Sequence, residues 1–219
     1  MSEEPLGGRD EHELDGDHRG HERDEGRDHA HGHGEHHDHG EAGTHDHHRH
    51  DLETVGAAVV TVSSTRTVDD DPAGDAVEGL LADAGHEVVA REVVPDDFEA
   101  VRETVEEAVA HDAVDVVVTT GGTGITPDDV TVEACALLFD KELPGFGELF
   151  RQLSREEVGT RVVGTRAVAG VVSTNPTEGN PAGGVPVFCL PGSENAARLG
   201  TREIIVPEAP HLAGLARRS

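Results

Sequence analysis

The stretch Val116 to Thr131, VVVTTGGTGITPDDVT, constrains this chain more than any other part of it. A β-branched run passes straight into a glycine-rich turn, and two acids follow at a helix-start signal. Such a run reads as a buried strand, and the turn after it brings backbone N–H groups and carboxylates to one point. A phosphate with its metal ion suits that point. An ordinary strand–turn–helix joint would use the same residues, because Gly and Asp favour turns and helix starts anyway. Two other phosphate-binding arrangements fail on spacing. A P-loop requires GxxxxGK[ST], and residues 120–129 contain no Lys. The dinucleotide fingerprint GxGxxG fails because Gly122-Thr123-Gly124 meets Pro127 where the last Gly belongs.

From Val55 onward the pattern is that of one α/β domain. The apolar run Val55 to Val62 reads as a buried parallel strand. Asp75 precedes a helical stripe of Val77, Leu80, Leu81 and Ala84, which Gly85 stops. Glu87 to Val94 is a second strand, Asp97 caps a helix with Phe98, Val101, Val105 and Val109 inside, and Val114 to Thr120 is a third strand. The segment Thr126-Pro127-Asp128-Asp129 predicts a helix with Thr126 as N-cap, ending in core-facing Leu137, Leu138 and Phe139. Residues 141–154 break at Pro144 and resume an apolar pattern. Arg166 to Val172 and Val185 to Leu190 are further strands, joined by a Gly/Pro/Asn-rich loop from Ser173 to Gly184. Pro191-Gly192-Ser193 turns into a helix from Asn195 to Val206, and a short C-terminal helix follows. The alternation of strand and helix predicts a three-layer, doubly wound, mostly parallel sheet in a single domain, residues 53–219.

Residues 1–52 differ. They hold thirteen of the sixteen His, among them His29, His31, His33, His36, His37, His39, His45, His47, His48 and His50. With sixteen acids, five Arg and few large apolar residues, this segment is expected to be a disordered tail. Its HxH pairs could bind transition metals through neutral imidazole, or the tract could be a solvated tail with incidental metal affinity. The tail carries −11 of the total −28, so the domain itself carries −17 and the acidity is global. Lys141 is the one Lys beside sixteen Arg. This balance resembles that of cytosolic proteins from salt-in halophiles, whose self-repulsion molar salt screens. It argues against a nucleic-acid partner, which needs a basic face. No stretch approaches the roughly 20 apolar residues of a membrane span, so a cytoplasmic protein is expected. Cys135 and Cys189 form no CxxC pair and read as small buried hydrophobes.

In open α/β sheets ligands bind outside the carboxyl ends of the strands. Three loops leave such ends here: Pro95-Asp96-Asp97, Thr120 to Asp129, and Pro191-Gly192-Ser193. The site they would form is acidic and nearly free of Lys, so a bare phosphate would be repelled. Mg2+, taking one or two carboxylates plus substrate phosphates, resolves that conflict.

Three motifs in order carry a resemblance: TTGGTG-x-x-x-x-D-V-T from Thr119, D-x-E-x-P-G-F-G-E from Asp140 to Glu148, and LPGS from Leu190 to Ser193. The chain from about Val55 to Ala213 resembles the MoaB/Mog family of molybdenum cofactor biosynthesis, whose pattern gephyrin G domains share. The resemblance implies adenylylation of molybdopterin by Mg-ATP, in a trimer or hexamer of identical chains. It implies Asp129 and Asp96 as catalytic acids that hold or position Mg2+. Gly121, Gly122, Thr123 and Gly124, with Pro191, Gly192 and Ser193, match turns around the nucleotide phosphates. Gly145, Phe146, Gly147 and Glu148 match a molybdopterin-side loop. Some relatives have Ser-Asp after the first strand, where this chain has Ser63-Ser64, so a role for residues 63–66 stays open. Two other readings remain: a MoaB paralogue that binds molybdopterin without catalysis, and a metal-handling protein acting through the His tail.

Overall fold

Parallel strands need helical crossovers, and the sequence supplies them in turn. The computed structural model describes residues 51–174 and 183–218; the His-rich positions and most of the Ser173–Gly184 loop lie outside them. Six strands form one sheet: β1 (Gly56–Val62), β2 (Glu87–Val94), β3 (Val116–Thr120), β4 (Lys141–Glu142), β5 (Val168–Ser173) and β6 (Gly184–Leu190). Their order is β2-β1-β3-β6-β5-β4. The first four in that order run parallel, whereas β5 is antiparallel to both of its neighbours. The mixed α/β fold with a mostly parallel sheet is as the sequence predicts.

Period-two alternation sorts the strands' side chains onto two faces. Val59, Val118, Phe188 and Leu190 face one core with helices α1 (Pro72–Asp83), α4 (Pro144–Val158), α5 (Glu194–Gly200) and α6 (Val206–Ala216). Val60, Val117, Val187 and Cys189 face the other, beneath α2 (Phe98–Ala110) and α3 (Thr131–Ala136). Both cysteines are buried in that second core as free thiols. Cys189 against it and burial together push the Cys135 thiol well above its ordinary range.

Several helix boundaries depart from the pattern reading. Helix α1 starts a turn before Asp75: Asp71 is its cap, accepting the Gly74 N–H at 3.0 Å, with Pro72 at the first position. Its buried stripe is therefore Ala73, Ala76, Val77 and Leu81, and Ala84 is exposed. Asp97 caps α2 as expected, through the Ala100 N–H. Helix α3 ends at Ala136, which leaves Leu137 outside it and 72% exposed. The two expected C-terminal helices are a single run, α5 joined to α6 by a π turn over Thr201–Ile205. The widening precedes Pro207, whose ring would crowd the carbonyl four residues back and which has no N–H to give it. Leu52 donates its N–H to the Pro210 carbonyl at 3.1 Å and packs on the first core. No helix among the described residues is long and apolar enough to cross a membrane.

Candidate active site

At the carboxyl end of β3 the chain turns on two glycines in the left-handed region, Gly121 at φ 97° and Gly122 at φ 62°. A side chain at Gly121 would collide with the Val62 carbonyl at the end of β1, and one at Gly122 with the Thr131 hydroxyl. The turn is held against its neighbours by backbone bonds. Gly121 donates to the Leu190 carbonyl at 3.0 Å, and Thr131 donates to the Gly122 carbonyl at 3.0 Å. Across the gap, a Cβ on Gly192 would lie 3.0 Å from the Gly121 Cα, so the two turns meet backbone to backbone.

These turns bound a cleft of about 340 Å³, with Gly121 to Gly124 and Asp129 on one wall, Pro191 and Gly192 on a second, and Gly164 and Thr165 on a third. A larger cavity, about 710 Å³, lies at the opposite end of β3 and β6, beside Val114, Gly184 and Arg217. Glu106, His111 and Asp112 line it, but it lacks the positive-φ glycine turn of the carboxyl edge, so the smaller cleft is the candidate site.

The expected helix start at Thr126 is corrected. Instead of capping a helix, Thr126 donates both its N–H (2.7 Å) and its hydroxyl (2.6 Å) to the Asp129 carboxylate, and Asp129 donates its N–H back to the Thr126 carbonyl at 3.0 Å. The Thr126 carbonyl is thus used in a tight turn and α3 begins only at Thr131, while Arg166 holds the Asp129 carbonyl. Partial burial opposes ionisation of Asp129, but donation by the Thr126 hydroxyl and amide and the Gly124 amide, with the charge of Arg166, outweighs it. Its carboxyl is held below the ordinary carboxylate range.

The other expected site residues are distributed less tightly. Asp96 sits at the same sheet edge but two strands away from β3, about 10 Å at the usual strand spacing. It does not line the cleft. Its carboxylate accepts the Ser64 N–H at 2.7 Å while its own N–H donates to the Ser64 hydroxyl at 3.1 Å. This gives the Ser63–Arg66 loop a structural partner. Ser193 caps α5 through the Ala196 N–H. Gly145 to Glu148 form the first turn of α4, outside the cleft. Gly145 and Glu148 are exposed, but Phe146 is a core residue, its ring centroid 5.3 Å from that of Phe188. Gly147 is buried because a Cβ there would lie 2.6 Å from the Ala167 carbonyl oxygen.

Sequence reasoning missed Arg166, just before β5. Its Nε donates to the Gly124 carbonyl at 2.6 Å, one terminal nitrogen to the Asp129 carbonyl at 2.9 Å, and both terminal nitrogens to Glu133. Its backbone N–H donates to the Thr123 carbonyl at 3.2 Å. A lone Arg ahead of a strand gives no sequence signal, since these partners lie 33 to 43 residues away.

Residues 58–211 match the family model described as "probable molybdopterin binding domain". The chain belongs to this family. Molybdenum cofactor biosynthesis protein B of Bacillus cereus is 42% identical over 159 residues, covering 72% of this chain and 88% of the relative. A crystal structure of a molybdenum cofactor biosynthesis protein B, 41% identical, aligns with TM-score 0.68 over 76% of this chain and 98% of that one. The tungsten cofactor synthesizing protein MoaB from Pyrococcus furiosus, 40% identical, aligns with TM-score 0.61 over 76% and 99%. This MoaB/Mog domain therefore has its glycine turn, its Asp129 and its Pro191-Gly192 turn around one cleft, while its remaining motif residues serve the core or neighbouring loops.

Proposed function

We propose that this protein acts in molybdenum cofactor biosynthesis by adenylylating molybdopterin. A terminal phosphate oxygen of molybdopterin attacks the α-phosphorus of ATP, and pyrophosphate leaves with the electrons of the broken P–O bond. The observation that carries this reading is the cleft itself. A strained glycine turn that no side chain could share lets phosphates approach the backbone, and an ionised Asp129 lies on the same wall.

The donor set fits Mg2+. Among the described residues no three His, Cys, Asp or Glu side chains gather as a closed metal cage, and Mg2+ does not need one: one or two carboxylates with substrate phosphates suffice. Asp129 would hold the ion together with substrate phosphates, Asp96 would contribute from its loop two strands away, and the ion would neutralise phosphate charge in an acidic chain. The protein's own part is positioning: the Gly121 to Gly124 and Pro191-Gly192 backbones orient the nucleotide phosphates, with no covalent intermediate. Gly145 and Glu148, exposed on the first turn of α4, would take the molybdopterin-side role. The chain is proposed to work as a cytoplasmic homo-oligomer, a trimer or hexamer.

One observation favours a second reading, a molybdopterin binder without catalysis: Asp96 is engaged with Ser64 and stands apart from Asp129. Turnover of Mg-ATP with molybdopterin in molar KCl, followed by chromatography for adenylyl-molybdopterin, decides between them. Product at a rate set by enzyme concentration supports the transferase. Molybdopterin binding with no product supports the binder.

A further inference from the structure

We propose that Arg166 is a positioning residue that sets the phosphate-binding turn by holding its carbonyl groups; this rests on the adenylyl-transfer reading of the cleft. The guanidinium spans the loop from Gly124 to Asp129 as a fork, with one nitrogen on each of those carbonyls and a double hold on Glu133. The same residue's main-chain N–H takes the Thr123 carbonyl. Three peptide planes of one wall are thus fixed by a single residue from a different element, because a planar peptide that has its oxygen held cannot rotate its N–H freely.

The chemical effect is on what an incoming phosphate meets. A backbone turn offers as many carbonyl oxygens as N–H groups, and free carbonyl oxygens repel phosphate. With the Thr123, Gly124 and Asp129 oxygens committed to Arg166, and the Gly121 and Gly124 N–H groups serving Leu190 and Asp129, the wall meets a phosphate with the N–H groups of Gly122 and Thr123. Glu133 keeps the fork in one orientation by engaging both terminal nitrogens. Lys could not replace it, since an ammonium is a point charge and cannot reach carbonyls on both sides of the loop at once.

The test compares Arg166→Lys, Arg166→Gln and Glu133→Gln in the full chain. It reads kcat and KM for Mg-ATP, melting temperature, and hydrogen exchange of the peptide covering residues 121–133. For both Arg166 variants the expected result is kcat down about tenfold or more. Exchange in that peptide should rise about tenfold, with the strand amides unchanged. Glu133→Gln should change either quantity by less than about threefold, because the carbonyl contacts remain. Wild-type exchange and kcat in Arg166→Lys would overturn the proposal. So would a Glu133→Gln variant as impaired as Arg166→Gln, which reduces the contact to a stabilising ion pair. If the wild type makes no adenylyl-molybdopterin, the transferase reading fails. In that case exchange alone decides whether Arg166 holds the turn.

Discussion

Two loops at the carboxyl edge of the sheet each present an acid, and they are built very differently. The loop after β3 is gripped from three sides: by Leu190 at the end of β6 and Arg166 ahead of β5, both remote in sequence, and by Thr131 at the start of the α3 that follows it. Its acid, Asp129, is oriented by both donors of Thr126. The loop after β2 is closed by a reciprocal clasp between Asp96 and Ser64. A carboxylate that must meet a developing charge without reorganising needs the first kind of support, whereas the second leaves its acid free to adjust. In the proposed transferase this difference would give the fixed role to Asp129 and the adaptable one to Asp96.

The sharpest way to break that contrast is Asp129→Asn. Asn still accepts from Thr126, so the fold should lose about 1 kcal/mol or less. Adenylylation should fall about 10²- to 10³-fold, with molybdopterin binding retained. Turnover near wild type would leave Asp129 as a turn residue only. Next in size is Gly122→Ala, which places a methyl on the Thr131 hydroxyl at a positive φ. It should cost about 1–2 kcal/mol in a urea titration and lower nucleotide affinity. Gly79→Ala, in open space on α1, is its neutral counterpart.

Asp96→Asn should be milder, about tenfold in rate at most, because the amide oxygen can still accept the Ser64 N–H. A loss equal to that of Asp129→Asn would show that the two loops act as one rigid unit. Acid titration gives a smaller effect. Glu133 is held below its ordinary 4.5, first by the hydrogen bonds from Arg166, so its stabilisation is full above that value and vanishes as pH falls through the lower folded value. Urea midpoints between about pH 2 and 6 should therefore fall less steeply for Glu133→Gln than for the wild type. Deleting residues 1–50 should affect the cleft least of all, leaving turnover intact while removing most Ni2+ or Zn2+ binding measured by titration calorimetry.

Much of this was legible in advance, for identifiable reasons. The buried strands β1, β3 and β6 announced themselves because a strand covered on both faces must be apolar throughout. Asp97 and the glycine turn were legible because capping and positive φ demand particular residues. The direction of β5 was not, since a short apolar strand looks the same whichever way it runs. Nor was the start of α3, where the Asp129 N–H takes the Thr126 carbonyl that would have opened the helix and Arg166, 37 residues downstream, holds the turn. Phe146 matched a ligand-side motif but is held by core packing, a competition that the local sequence does not reveal.

The place of β6 has a consequence for how the protein comes into being. This strand is the last of the six in the chain, yet it is inserted between β3 and β5. The cleft's two backbone walls, at Gly121 and Gly192, face each other only once that insertion is complete. On a ribosome, the glycine turn emerges long before its opposite wall and waits through the synthesis of some seventy residues. Contacts so distant in sequence form late. A nascent chain that ends before Gly192 lacks this second wall, and with it the proposed nucleotide site.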